Sequence, residues 1–172
     1  ADAALARAEM QSPFGLAVDI APPGPPALGE AQWRRALSQA IERRDAALAA
    51  FPVVGRHGGL LHLESPLRLR LQENGPLEPA ARWLPWALRS QLAARADLLA
   101  VGLALDAIGA NARPRGVNLA PGSLRDAGFL PGLRALLEAR PAQARSLWLE
   151  FGESAALGQL ALLGELGREL RP

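Results

Sequence analysis

Leu60-Leu61-His62-Leu63-Glu64-Ser65-Pro66-Leu67-Arg68-Leu69-Arg70-Leu71 decides how this chain is read. Leucine stands at 61, 63, 67, 69 and 71, and His62, Glu64, Pro66, Arg68 and Arg70 fall between. A period of two belongs to an extended strand, whose successive side chains point to opposite faces. The leucine face is expected to pack under helices. The other face then carries an acid, Glu64, and a base, Arg68, four residues apart. Burying such a face is costly unless it lines a polar site or pairs internally, so it marks a candidate site.

Outward from this run, Gly58-Gly59 is a turn and Phe51-Pro52-Val53-Val54 a short strand. Upstream, Trp33, Leu37, Ile41 and Leu48 predict an amphipathic helix over Glu30–Ala50. Downstream, Glu73-Asn74-Gly75-Pro76 signals a turn, and helices are expected over Glu78–Leu92 and Ala96–Ile108. A strand at Gly116–Ala120, a helix at Phe129–Arg140, a strand at Ser146–Phe151 and a helix at Glu153–Leu170 complete the chain. Strands alternating with helices in this order predict an α/β fold with a parallel sheet or a partial (β/α) barrel of about four strands. Before all this, Ala1–Glu9 reads as the tail of a helix, and Ala21-Pro22-Pro23-Gly24-Pro25-Pro26 as a semi-rigid linker. The expected division is a terminal remnant at 1–20, a linker at 21–29 and the main domain at 30–172.

Composition narrows the function. The 172 residues are 49% hydrophobic and 21% charged, as expected of a globular chain with a real core. No apolar run approaches the roughly 20 residues of a membrane span, and no secretory pattern opens the chain. The absence of cysteine excludes disulfides, thiolate metal sites and thiol catalysis, and fits a reducing cytosol. The pI of about 10.7 does not mark a DNA-binding protein. All 19 cationic residues are arginine, tyrosine is absent, and the formal charge is only +2, so almost nothing titrates that charge away. The arginines are also spread along the chain, and no DNA surface is expected.

Three strands each place one oxygen-bearing side chain near the C-terminal end: Glu64, Asn118 and Glu150. Ligand sites of α/β sheets and barrels form at those ends. Two carboxylates and an amide suit Mg²⁺ or Mn²⁺, and they suit ordinary polar strand ends equally well. His57 and His62 read as surface or strand-face histidines. Trp83, Trp86 and Trp148 read as core or helix–barrel contacts.

Several stretches together resemble one family. Glu64-Ser65-Pro66-Leu67-Arg68, Val117-Asn118-Leu119-Ala120-Pro121 and Leu149-Glu150-Phe151-Gly152-Glu153-Ser154 stand where the EAL domain family, cyclic di-GMP phosphodiesterases and receptors, reads E-A-L-L-R-W, V-N-L-S-P and L-E-I-T-E-S. Phe51-Pro52-Val53-Val54 is similar to that family's Q-P-I-V strand and Trp83-Leu84-Pro85 to its F-I-P segment, so the resemblance runs from about Trp33 to Leu170. It implies the first half of a (β/α)₈ barrel, with Glu64, Asn118 and Glu150 matching metal ligands for Mg or Mn. Arg68 matches the arginine that contacts a ligand phosphate, a role suited to a guanidinium fork; a strand-face salt bridge with Glu64 is the plainer reading. Ser65 and Pro66 fall at the same ligand mouth. Ala1-Asp2-Ala3-Ala4-Leu5-Ala6-Arg7-Ala8-Glu9 resembles the helix that closes GGDEF domains.

The departures point away from catalysis. Ser65-Pro66 breaks the signature tripeptide, Phe51 replaces a ligand-contacting glutamine, and Leu88 stands where a glutamate usually follows the F-I-P segment. The family's later Asp-Asp-Phe-Gly strand and its water-activating residues are not in this chain. A remnant, a linker and an altered EAL domain together resemble the degenerate GGDEF–EAL receptors of the LapD-like kind, the cytoplasmic part of a membrane-anchored parent. The expectation is a receptor for cyclic di-GMP and not an enzyme. The alternatives are a metal-dependent phosphodiesterase in the full-length chain, or a scaffold without ligand. A half barrel leaves strand edges open, so homo-oligomerisation is also expected.

Overall fold

The computed structural model describes residues 29–152 together with 164, 167 and 168. Helix α1 (Glu30–Glu42) buries Trp33, Leu37, Ala40 and Ile41 along one stripe. Its first turn is closed by Gln32, whose side-chain oxygen accepts the Gly29 N–H at 3.0 Å. The helix ends earlier than the sequence predicts. Arg44 turns left-handed at φ 52° and Asp45 N–H returns to the Ala40 carbonyl, so Ala46–Leu48 becomes strand β1.

Next come β2 (Phe51–Val54), β3 (Leu60–Glu64), β4 (Leu67–Arg70) and β5 (Leu77–Pro79). The leucine run is therefore two strands, not one. Pro66 has no N–H to give a ladder, and the Ser65 hydroxyl turns inward to the Leu63 carbonyl at 2.8 Å. The break divides the run between sheets. β4 sits in the middle of a three-stranded antiparallel sheet, β1-β4-β5, while β3 belongs to a four-stranded sheet, β2-β3-β6-β7. Arg70 ties the smaller sheet together, reaching Asp45 at 3.0 Å and the Gly75 carbonyl.

Helix α2 (Ala80–Arg89) stacks Trp86 on Trp33 of α1, with ring centroids 5.5 Å apart and planes within 7°. Gln91, again left-handed, swings the chain into α3 (Ala93–Asn111). That helix is apolar around most of its circumference and forms the middle of the molecule, burying Ala96, Ala100, Val101, Ala104, Leu105 and Ile108. Then follow β6 (Arg115–Leu119), a 3₁₀ turn (Pro121–Arg125), α4 (Phe129–Glu138), the short α5 (Pro141–Ala144) and β7 (Leu147–Phe151). β3, β6 and β7 run parallel, and β2 is antiparallel to β3. One face of this sheet, with Leu63, Val117, Leu119, Leu147, Leu149 and Phe151, turns to the core. The result is a mixed α/β fold.

The expected remnant at 1–20 lies outside the described residues, as does the proline linker apart from Gly29. Of the helix expected over Glu153–Leu170, residues 164, 167 and 168 are described, and all three are helical. Among the described residues no helix is long and apolar enough to cross a membrane.

Candidate functional site

The pairing of β3, β6 and β7 sets which side chains meet. Glu64 lies opposite Gly116, and Asn118 lies opposite Glu150. In a parallel ladder paired residues point to the same face, and so do residues two apart in one strand. Hence His62, Glu64, Gly116, Asn118, Trp148 and Glu150 share the face turned away from α3. Glu64, Asn118 and Glu150 stand at or one residue short of the C-terminal ends of β3, β6 and β7. The alternation brings these three together.

Their contacts are specific. Asn118 turns its amide nitrogen toward Glu64 and donates to Oε1 at 3.2 Å. Glu150 Oε1 lies 2.9 Å from His62 Nε2. The imidazole is 8% exposed and stacks on Trp148, centroids 4.9 Å apart. Gly116 makes room for the pair: a Cβ there would lie 2.7 Å from Glu150 Oε1 and 2.7 Å from His62 Cδ2. His62 is thus no free strand-face histidine, and its engagement with the acids is what sequence reading missed. The available signal was its spacing of two from Glu64, together with a glycine on the neighbouring strand. Trp148, expected in a helix or core contact, is 48% exposed on this open face.

Arg68 lies elsewhere. It sits on β4, in the other sheet, between Ala47 of β1 and Pro79 of β5. Among the described residues it makes no ion pair with Glu64, so the alternative reading of a strand-face salt bridge is not met. Ser65 is buried, and its N–H donates to the Gly116 carbonyl at 2.8 Å while its hydroxyl is engaged by Leu63. Pro66 and Ser65 line a cavity of about 200 Å³ that also reaches Asn118, Trp83, Leu88 and Asp97.

Asp97, a lone acid in the first turns of α3, fastens the loop that follows β6. One carboxylate oxygen accepts the Ala120 N–H at 2.8 Å and the Ser123 hydroxyl at 2.6 Å. Burial pushes this carboxyl up to about 6, against the two hydrogen bonds, which favour the anion. Asp97 thereby fixes the backbone two residues beyond Asn118. An aspartate among the alanines and leucines that open an apolar helix was the sequence signal for it.

The residues present do not fit a divalent cation as they stand. Mg²⁺ and Mn²⁺ need several open oxygen donors, yet here one oxygen of each carboxylate already faces a protein nitrogen. Among the described residues no three His, Cys, Asp or Glu side chains gather closely enough to hold a metal ion.

Comparison with known proteins agrees with the fold. The chain is similar to the FimX EAL domain from Pseudomonas aeruginosa bound to c-di-GMP, with a TM-score of 0.69 and 27% identity over 80% of this chain and 57% of that one. It is similar to the PaMucR phosphodiesterase in its c-di-GMP complex, with a TM-score of 0.66 and 26% identity over 80% of this chain and 60% of that one. The Vibrio cholerae LapD S helix-GGDEF-EAL structure, bound to c-di-GMP, shares the fold at a TM-score of 0.74 and 18% identity, over 95% of this chain and 40% of that one. This chain spans 40% to 60% of these three structures. No curated protein matches it. The EAL domain model matches residues 34–171, and the chain belongs to the EAL domain family.

Proposed function

We propose that this chain is part of a catalytically degenerate EAL domain that serves as a cyclic di-GMP receptor. The observation that carries the reading is the shared polar face at the strand ends. Glu64, Asn118 and Glu150 converge there, with each carboxylate held by a protein donor and not left open for a water-activating metal. Two related structures at 26% and 27% identity hold c-di-GMP, which supports the ligand class. The four-stranded sheet corresponds on this reading to about half of a (β/α)₈ barrel. Ser65 and Pro66 form the mouth beside the acids, and Arg68 supplies a guanidinium for a phosphate once the ligand spans both sheets. The extent of the domain (30–172), the GGDEF remnant and linker before it, the cytoplasmic membrane-anchored parent and self-association through open strand edges belong to the same proposal.

The similarity to the PaMucR phosphodiesterase favours one second reading: a metal-dependent cyclic di-GMP phosphodiesterase in the full-length protein. Titration calorimetry of the full-length protein with cyclic di-GMP, alongside chromatography of the nucleotide after incubation with Mg²⁺ or Mn²⁺, separates the two. The receptor reading expects low-micromolar binding, unchanged nucleotide, and at least about tenfold weaker binding for Arg68→Ala. Linearised product would establish the enzyme instead. No binding at tens of micromolar would sink the receptor.

A further inference from the structure

We infer that His62 is a built-in replacement for a cation at Glu150, so that the acidic mouth of this domain is closed to divalent metal. Three strands build the arrangement. β3 supplies the imidazole, β7 supplies both the acid and the indole that covers the ring, and β6 supplies Gly116, the only residue type that leaves space between them. The Cδ2 and Nε2 edge of the ring lies over Gly116. Nδ1, on the opposite edge, is buried without a hydrogen-bond partner among the described residues.

This asymmetry decides what a metal would meet. With Nδ1 unpaired, the Nε2–H···Oε1 contact is the ring's one hydrogen bond among the described residues. A cation taking Glu150 Oε1 would displace that N–H donor and leave both nitrogens of a buried ring without partners, a penalised state. The Trp148 stack and the Gly116 floor restrict how far the ring can swing aside. Glu64 Oε1 is engaged in parallel by Asn118, so a metal bound through the Oε1 atoms of both acids would have to break two protein contacts.

The inference concerns metal alone and holds or fails whether or not cyclic di-GMP is the ligand. The test is Mn²⁺ titration of the chain followed by electron paramagnetic resonance, with no nucleotide present. Wild type is expected to show no saturable binding below millimolar Mn²⁺. His62→Leu, which fills the space beside Trp148 and cannot donate, is expected to bind at least about tenfold more tightly. His62→Gln, which keeps an N–H for Glu150, is expected to stay as weak as wild type. Glu150→Gln in the His62→Leu background should remove the gain. If circular dichroism shows His62→Leu unfolded, His62→Asn, too short to reach Glu150, takes its place with the same expected gain. Wild-type binding at tens of micromolar that Glu150→Gln abolishes, or a folded His62→Leu or His62→Asn with no gain, overturns the inference.

Discussion

Val117 and Leu119 on one side of β6, and Gly116 and Asn118 on the other, are neighbours in sequence that live in different solvents. Val117 and Leu119 are 1% and 4% exposed, packed in the core around α3. Asn118 is exposed, and Gly116 lies under a charged and aromatic pair. The closed face holds the fold through apolar burial, worth about 25 cal/mol per Å². The open face contributes few apolar contacts and is organised by hydrogen bonds instead. Stability and chemistry are thus assigned to alternate residues of one strand, and substitutions should separate them.

The largest effect should come from the closed face. Leu119→Ala is expected to lower the unfolding free energy by about 2–5 kcal/mol in urea denaturation, through lost transfer energy and the cavity left behind. A loss no larger than that of Asn118→Ala would break the comparison.

Asp97 comes next, because it stands where the two faces meet. Its folded-state value of about 6 lies above the ordinary 3.8, so the folded protein binds the proton more tightly than the unfolded chain. The associated stability is present in full below about pH 4 and is lost as pH rises through about 6. Asp97→Asn, neutral at every pH and able to accept both hydrogen bonds, should lack this dependence. Relative to it, wild type is expected to lose up to about 3 kcal/mol between pH 4 and 7. Parallel pH profiles of the two proteins would contradict the burial argument.

On the open face, Gly116→Ala should cost about 1–3 kcal/mol by forcing Glu150 and His62 apart. Combining it with His62→Ala should recover most of that loss, so a double-mutant cycle with additive terms would refute the crowding. Asn118→Ala should be the mildest, below about 1 kcal/mol, since its hydrogen bond to Glu64 is exposed to water.

The same division explains what could be read from the residues alone. The positions of β2, β3, β6, β7 and α4 followed from period and punctuation, because burial on one face imposes a repeat. The exits from α1, α2 and α3 did not. They turn on left-handed Arg44, Gln91 and Ala112, where glycine would normally mark the end. Ala46–Leu48 sits in an alanine-rich stretch whose propensity favours helix, and its pairing with β4 overrides that preference. Glu78 and Pro79 read as the start of the following helix for the same reason: the partner strand, not the composition, makes Leu77–Pro79 extended. The convergence of Glu64, Asn118 and Glu150 was legible because all three stand at or one residue short of a strand's C-terminal end. His62 and Asp97 were not, since each acts on a residue far away in sequence, at Glu150 and Ser123.

The missing Cβ of residue 116 has an evolutionary corollary. Space beneath the imidazole is a shared allotment, so positions 62 and 116 should drift as a couple in descendants of this chain. A lineage that gains bulk at 116 must shrink its partner, and by doing so would reopen the acid to whatever ions the cell supplies.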